Sequence, residues 1–139
     1  SLLILNQITL RGEEMKEQIF PENGPKPVGP YSPAIRANGF IFVSGQGPIV
    51  LETGEQLQGT IEEKVHRTIG NIEVILEAAG SSLEKVVKTT IYLTDLGNFK
   101  RVNEAYGQHF KGVPPARTTI QAAALPTGIE VEIEAIAAE

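Results

Sequence analysis

The sequence predicts an α+β fold: a mixed sheet with two helices packed on one of its faces. Three observations lead there. Alternating apolar runs near both ends of the chain read as strands, a strongly periodic segment over 60–80 reads as a long helix, and a shorter helical stripe follows one further strand. The expected order is β-β-β-α-β-α-β-β. With 139 residues, 41% hydrophobic and 21% charged, the chain fits one ordinary globular domain.

"EQIF" after Met15 supplies a short first strand. "PENGPKPVGPYSP" then holds five prolines and two glycines in 13 residues, too many for either regular element, so it is an irregular loop. "AIRANGFIFVSG" is a hairpin around Asn38-Gly39, and "FIFV" is apolar on both faces, which places that strand centrally or covers it twice. Thr60 and Glu63 form a capping box for a helix whose apolar face is Ile61, Val65, Ile69, Ile72, Leu76 and Ala79, with Gly80 just past its end. In "KVVKTTIYLTD", Val87, Thr89, Ile91 and Leu93 share one strand face. Asp95 can cap a second helix with the stripe Phe99, Asn103, Tyr106 and Phe110. Two strands, at about 116–124 and 129–137, complete the order. Residues 1–14 are read as an N-terminal extension or cloning remnant, the alternative being an extra edge strand; residues 15–139 form the single domain.

Several function classes are disfavoured by composition. The net charge is -5 and the 12 Lys and Arg are scattered, so the clustered positive surface that nucleic acid needs is missing. Cysteine is absent, which removes disulfides, thiolate metal sites and a cysteine nucleophile; His66 and His109 lie far apart in sequence, so no metal site is expected. No apolar run approaches the roughly 18 residues of a membrane span. "VSGQGP" does not match the nucleophile elbow of serine hydrolases, and no phosphate-binding glycine loop occurs.

What remains is one isolated arginine. Arg117 is the only charge in "GVPPARTTIQAAALP", and it shares a strand face with Thr119 and Gln121. A guanidinium fork beside hydroxyl and amide groups suits a carboxylate ligand; a structural ion pair with a glutamate of the following strand is the alternative. In that strand Glu130, Glu132 and Glu134 alternate with Ile129, Val131 and Ile133, the pattern of a solvated sheet face, yet Ile136 continues the glutamate face as an apolar residue. Part of that face is therefore expected to be covered, and a glutamate at such a boundary could serve as a base. Asn103 interrupts an apolar stripe and needs a partner. Tyr31 lies in the proline-rich loop, while Ser44 and Gly45 sit at a strand end where backbone can approach a ligand.

Together, "GPYSPAI", "FVSGQGPI", "IEEKVHRTIGNIEVILEAAGSSLEKVVKTTIYLTD", "FKRVNEAYGQHF" and "PPARTTIQAAALPTGIEVEIEA" resemble, in order, the blocks of the RidA/YjgF/YabJ family. The resemblance runs from Met15 to the end. It implies a chorismate-mutase-like fold and a homotrimer with clefts between subunits; with no targeting segment recognised, a cytoplasmic location is the default expectation. The implied activity is that of a 2-iminobutanoate/2-iminopropanoate deaminase. Such an enzyme hydrolyses enamine and imine acids, such as 2-aminoacrylate and 2-aminocrotonate released by pyridoxal-phosphate-dependent dehydratases, to 2-keto acid and ammonia. It implies no cofactor and no metal. Arg117 matches the carboxylate clamp, Glu132 the acidic residue that places the attacking water, and Tyr31 the aromatic covering the ligand. Ser44 and Gly45 match the cleft-lining pair and Asn103 the helix asparagine. Thr119 stands where many members carry cysteine, and keeps the backbone carbonyl that the family uses there. A non-catalytic trimer that binds small carboxylates or partner proteins is the competing reading. RNA cleavage, a third, is disfavoured by the acidic charge and the unpaired histidines.

Overall fold

The computed structural model describes residues 15–139, so the expectation for residues 1–14 lies outside the described residues. Six strands form one sheet: β1 (Glu17–Ile19), β2 (Ala34–Ala37), β3 (Phe40–Gln46), β6 (Val86–Leu93), β7 (Ala116–Gln121) and β8 (Val131–Ala138). Their order across the sheet is β1-β2-β3-β8-β6-β7. All neighbours are antiparallel except β6 and β7, which are parallel because a helix, α2 (Phe99–Gly107), carries the chain back between them. A longer helix, α1 (Ile61–Ala78), joins the first half to β6 and lies with α2 on one face of the sheet. Sequence reading missed one element, a two-residue-per-strand hairpin of β4 (Ile49–Val50) and β5 (Glu55–Gln56). Strands that short carry no readable alternation.

Local chemistry explains the boundaries. Asn38 (φ 52°) and Gly39 (φ 82°) form the expected left-handed two-residue turn between β2 and β3. The Thr60 hydroxyl oxygen accepts from Glu63 N at 3.2 Å and opens α1, and Gly80, at φ 78°, ends it. Asp95 caps a single 3-10 turn, Leu96–Asn98, that leads directly into α2. β7 and β8 run over 116–121 and 131–138, slightly displaced from expectation.

The core lies between helices and sheet. Ile41, Val43, Ile91, Leu93, Val131 and Ile133 from the strands meet Val65, Ile69, Ile72, Leu76 and Val102 from the helices. Two expected members, Phe99 and Val87, are exposed instead. Val86 is buried in place of Val87, because the β6–β8 register shifts between Val86 and Lys88 and the bulge turns the following residue outward. The opposite face of the sheet presents Phe40, Phe42 and Ile120, all exposed, beside half-buried Tyr92, Glu134 and Ile136. β3 is thus central, as expected, but is covered on one side only within the chain.

Candidate functional site

The expected site residues fall into two separate groups. The first surrounds Arg117. β7 points Arg117, Thr119 and Gln121 toward the helix side, as their alternation predicts, and pairs them with Thr89, Ile91 and Leu93 of β6. Arg117 Nη2 donates to Asn103 Oδ1 at 2.6 Å. The guanidinium carbon lies 4.9 Å from the centre of the Tyr106 ring and 5.6 Å from that of Phe99, both within cation–π range. Asn103 therefore interrupts its apolar stripe in order to face the arginine. Thr119 Oγ1 is buried and has no hydrogen-bond partner among the described residues, and so can still serve a ligand.

No carboxylate of the described residues lies within 4 Å of Arg117. The ion-pair alternative fails for a geometric reason: the half-buried carboxylates of β8, Glu132 and Glu134, point to the other face of the sheet, and β6 separates β8 from β7. Arg117 retains its Nε and Nη1 donors for something else.

The second group surrounds Glu132. A register shift between Val43 and Gln46 bulges β3 away from β8 and brings Gly45 against the Glu132 side chain. A Cβ on Gly45 would stand 2.5 Å from Glu132 Oε2, so only glycine leaves room for the carboxylate. Ser44 Oγ donates to Ser32 O at 2.7 Å and Ser44 N to Pro33 O at 3.0 Å, which ties the proline-rich loop carrying Tyr31 to the same strand end. Buried Asn71 of α1 fixes the next turn, donating to Gly47 O at 3.2 Å and Ile49 O at 2.9 Å. The resulting groove encloses about 760 Å³, with Gly45, Glu132, Lys26, Gln56 and Thr127 in its walls. Burial, and then the negative charge of Glu134, push the Glu132 carboxyl above the usual carboxylate range.

Within one chain these groups do not meet: Arg117 and Glu132 stand two strands apart and on opposite faces. Tyr31 is exposed, its hydroxyl accepting from Val28 N at 3.3 Å within its own loop. Sequence reading assigned Phe99 and Tyr106 to a core stripe and missed their place against Arg117. The signal was present in their spacing, since positions 99, 103 and 106 share the helix face that carries Asn103. The two histidines, distant in sequence, pair with one another: His66 Nδ1 and His109 Nε2 are 2.7 Å apart across α1 and the end of α2. Among the described residues no group of three or more metal-ligating side chains forms, and no helix is long and apolar enough to cross a membrane.

Comparison with known proteins agrees with this geometry. Residues 21–139 match the family described as Endoribonuclease L-PSP. Arabidopsis thaliana Reactive Intermediate Deaminase A, chloroplastic, is 44% identical over 122 residues, covering 88% of this chain and 65% of that protein. The crystal structure of RidA from the Antarctic bacterium Psychrobacter sp. PAMC 21119 superposes with a TM-score of 0.85 at 38% identity, over 88% of this chain and 99% of that one. E. coli TdcF, solved with bound serine, gives 0.82 at 32% identity, over 88% and 98%. A match over most of the chain, identities well above those of fold-only resemblance, and the same helix-backed mixed sheet lead to one conclusion: the chain belongs to the RidA/YjgF family.

Proposed function

We propose that this protein hydrolyses reactive enamine and imine acids to 2-keto acids and ammonia, in a cleft built from the Arg117 group of one chain and the Glu132 group of another. The observation that carries this reading is the arginine itself: a fixed, half-buried guanidinium with accessible donors and no carboxylate partner among the described residues. A small acid supplies what it lacks. Two relatives support the class of ligand, one named a reactive intermediate deaminase and one solved with serine, an amino acid of the right size.

The chemistry follows from the groups. An enamine acid tautomerises to its imine, and water adds to the carbon bearing nitrogen. The carbinolamine then collapses to the ketone, releasing ammonia. Arg117 holds the acid in a bidentate fork and offsets its charge, which fixes the imine carbon in place. Glu132 takes the proton of the attacking water, and a carboxylate raised toward neutrality is the stronger base for that step. Gly45 and Ser44 form the wall against which the ligand lies, Tyr31 covers it, Asn103 braces the arginine, and Thr119 offers its unpartnered hydroxyl.

Because the two groups do not meet within one chain, the reading requires an assembly, and a homotrimer is the proposed form. The exposed Phe40, Phe42 and Ile120 on the helix-free sheet face suit contact with further copies. The name of the matching family points to RNA cleavage instead. The net charge of -5 weighs against that, although the two histidines, expected to be unpaired, do contact each other.

The test is a coupled assay with a serine or threonine dehydratase, following imine loss, with light scattering as a check on assembly. Wild type accelerates keto-acid release; Arg117→Ala and Glu132→Ala, still assembled, each lose about a hundredfold or more. Full activity in assembled Arg117→Ala would remove the reading. Binding of 2-ketobutyrate at Arg117 with no acceleration by wild type would replace it with a carboxylate sensor.

A further inference from the structure

Tyr106 is a buried tyrosine for which the proposed chemistry has no use. Its hydroxyl sits 2.7 Å from Thr89 Oγ1, itself buried on β6. Thr89 is the residue that pairs with Arg117 in the β6–β7 ladder. The Tyr106 ring is thus tethered at its far end to the strand next to the arginine, while its face lies 4.9 Å from the guanidinium carbon. Phe110 closes the other approach, its ring centre 4.6 Å from that of Tyr106 at a tilt of 37°. A ring bonded through its hydroxyl and packed against a second ring is restrained from rotating away.

From this arrangement we infer that Tyr106, tethered by Thr89, is the positioning residue that fixes the plane of the Arg117 guanidinium for its carboxylate ligand. Three contacts define that plane. Asn103 Oδ1 engages Nη2, Tyr106 supplies an aromatic face, and Phe99 bounds the group from a second ring 5.6 Å away. All three residues belong to α2, so one helix face sets the orientation, and the Thr89 bond locks that face to the sheet. Asn103 takes one Nη2 hydrogen; the other lies alongside either Nε–H or an Nη1–H, and that pair forms the edge a carboxylate grips in bidentate fashion. An untethered arginine would have to order its side chain at the moment of binding. The inference rests on reading Arg117 as a carboxylate clamp, but its first readout needs neither ligand nor turnover.

That readout is the side-chain NMR signal of Arg117 in the assembled protein. In wild type the Nε–Hε resonance is displaced by the ring currents and rotation of the terminal nitrogens is slow. Tyr106→Leu moves the resonance toward the free-arginine position and speeds the rotation. In the deaminase assay the same variant raises KM about three- to thirtyfold, the range of a partly desolvated cation–π contact, with kcat changed less. Tyr106→Phe keeps the ring and cuts the tether, so it recovers part of the loss. Thr89→Val, which removes the tether from the other side, matches Tyr106→Phe, and the double variant is no worse than either alone. These two milder variants serve if Tyr106→Leu does not assemble.

An Arg117 signal that stays in place in Tyr106→Leu, or a loss that is confined to kcat, overturns the inference. Additive losses for Thr89→Val and Tyr106→Phe overturn the tether. If wild type does not deaminate but the Arg117 signal still follows Tyr106, the proposed function fails and the positioning role stands. If wild type deaminates and Tyr106→Leu changes neither signal nor KM, the reverse holds.

Discussion

Gly45→Ala is the most informative single change to this site, because its effect can be worked out from contacts. A methyl carbon at position 45 would lie 2.5 Å from Glu132 Oε2, 2.8 Å from its Cδ and 3.1 Å from its Cγ. Ordinary contact needs about 3.5 Å, so the carboxylate must retreat by about 1 Å. The backbone need not follow, since Gly45 is not in the left-handed region and the obstacle is the movable end of a side chain. Stability should therefore change little. Catalysis should not be spared: a displacement of about 1 Å in a group that places the attacking water costs on the order of a hundredfold. The expected result is a kcat lowered by about that factor, with Tm within a few degrees of wild type. The decisive assay is the cycle with Glu132→Ala. Once the carboxylate is gone the new methyl has nothing to push, so the double variant should equal Glu132→Ala alone. Full activity in Gly45→Ala alongside a damaged Glu132→Ala would refute the reasoning, and so would losses that simply multiply.

Other expectations are more quickly stated. Arg117→Lys keeps the charge but gives up the fork and the bond to Asn103; losing one charge-assisted bond of about 1.5–3 kcal/mol raises KM about tenfold to a hundredfold, measured by steady-state kinetics. Burial raises the Glu132 carboxyl in the folded chain above its unfolded value, so the folded state holds that proton more tightly and loses stability as pH rises through the folded value. Glu132→Gln should accordingly melt higher than wild type at pH 7. The gap should close below about pH 4, where both states are protonated, and thermal melts across that interval check the sign. The same raised carboxyl should set an acid limb of kcat at a pH above the ordinary glutamate value, seen in the pH–rate profile of wild type. Thr60→Ala removes the cap of α1 and should cost about 1 kcal/mol in chemical denaturation, with activity per folded molecule unchanged.

The parts of the fold that were legible in the sequence are those dictated by local chemistry. Thr60, Glu63 and Gly80 bound a helix through caps that act within a few residues, and Asn38-Gly39 forces a turn by its backbone preference alone. Alternation placed Arg117, Thr119 and Gln121 on one face, because period two survives wherever the ladder is regular. It failed at Val87, where a bulge set by pairing with β8 overrides the period, and such pairing has no local sign. The β4–β5 hairpin was too short to show. At the site, the identities of the groups were readable but their partition was not. That Arg117 faces the helices while Glu132 faces away depends on the order of strands across the sheet, a property of the whole chain. Phe99 passed for core, and Tyr106, which is core, gave no sign of its second role, because an aromatic ring that packs beneath a guanidinium and one that packs beneath a leucine obey the same helical spacing.

The position of β8 has a consequence for how such a molecule comes into being. It is the strand nearest the C-terminus, yet it lies in the middle of the sheet, between β3 and β6. Until it arrives, β1-β2-β3 and the β6–α2–β7 unit share no ladder, and each offers an open apolar edge. Folding must wait for contacts between distant parts of the chain, which slows it. A nascent or truncated polypeptide that stops before Val131 is left as two half-sheets, each needing the same missing strand and each able to recruit a neighbour's in its place. Because Glu132 rides on that strand, the polypeptide completes its architecture and receives its proposed base in a single event.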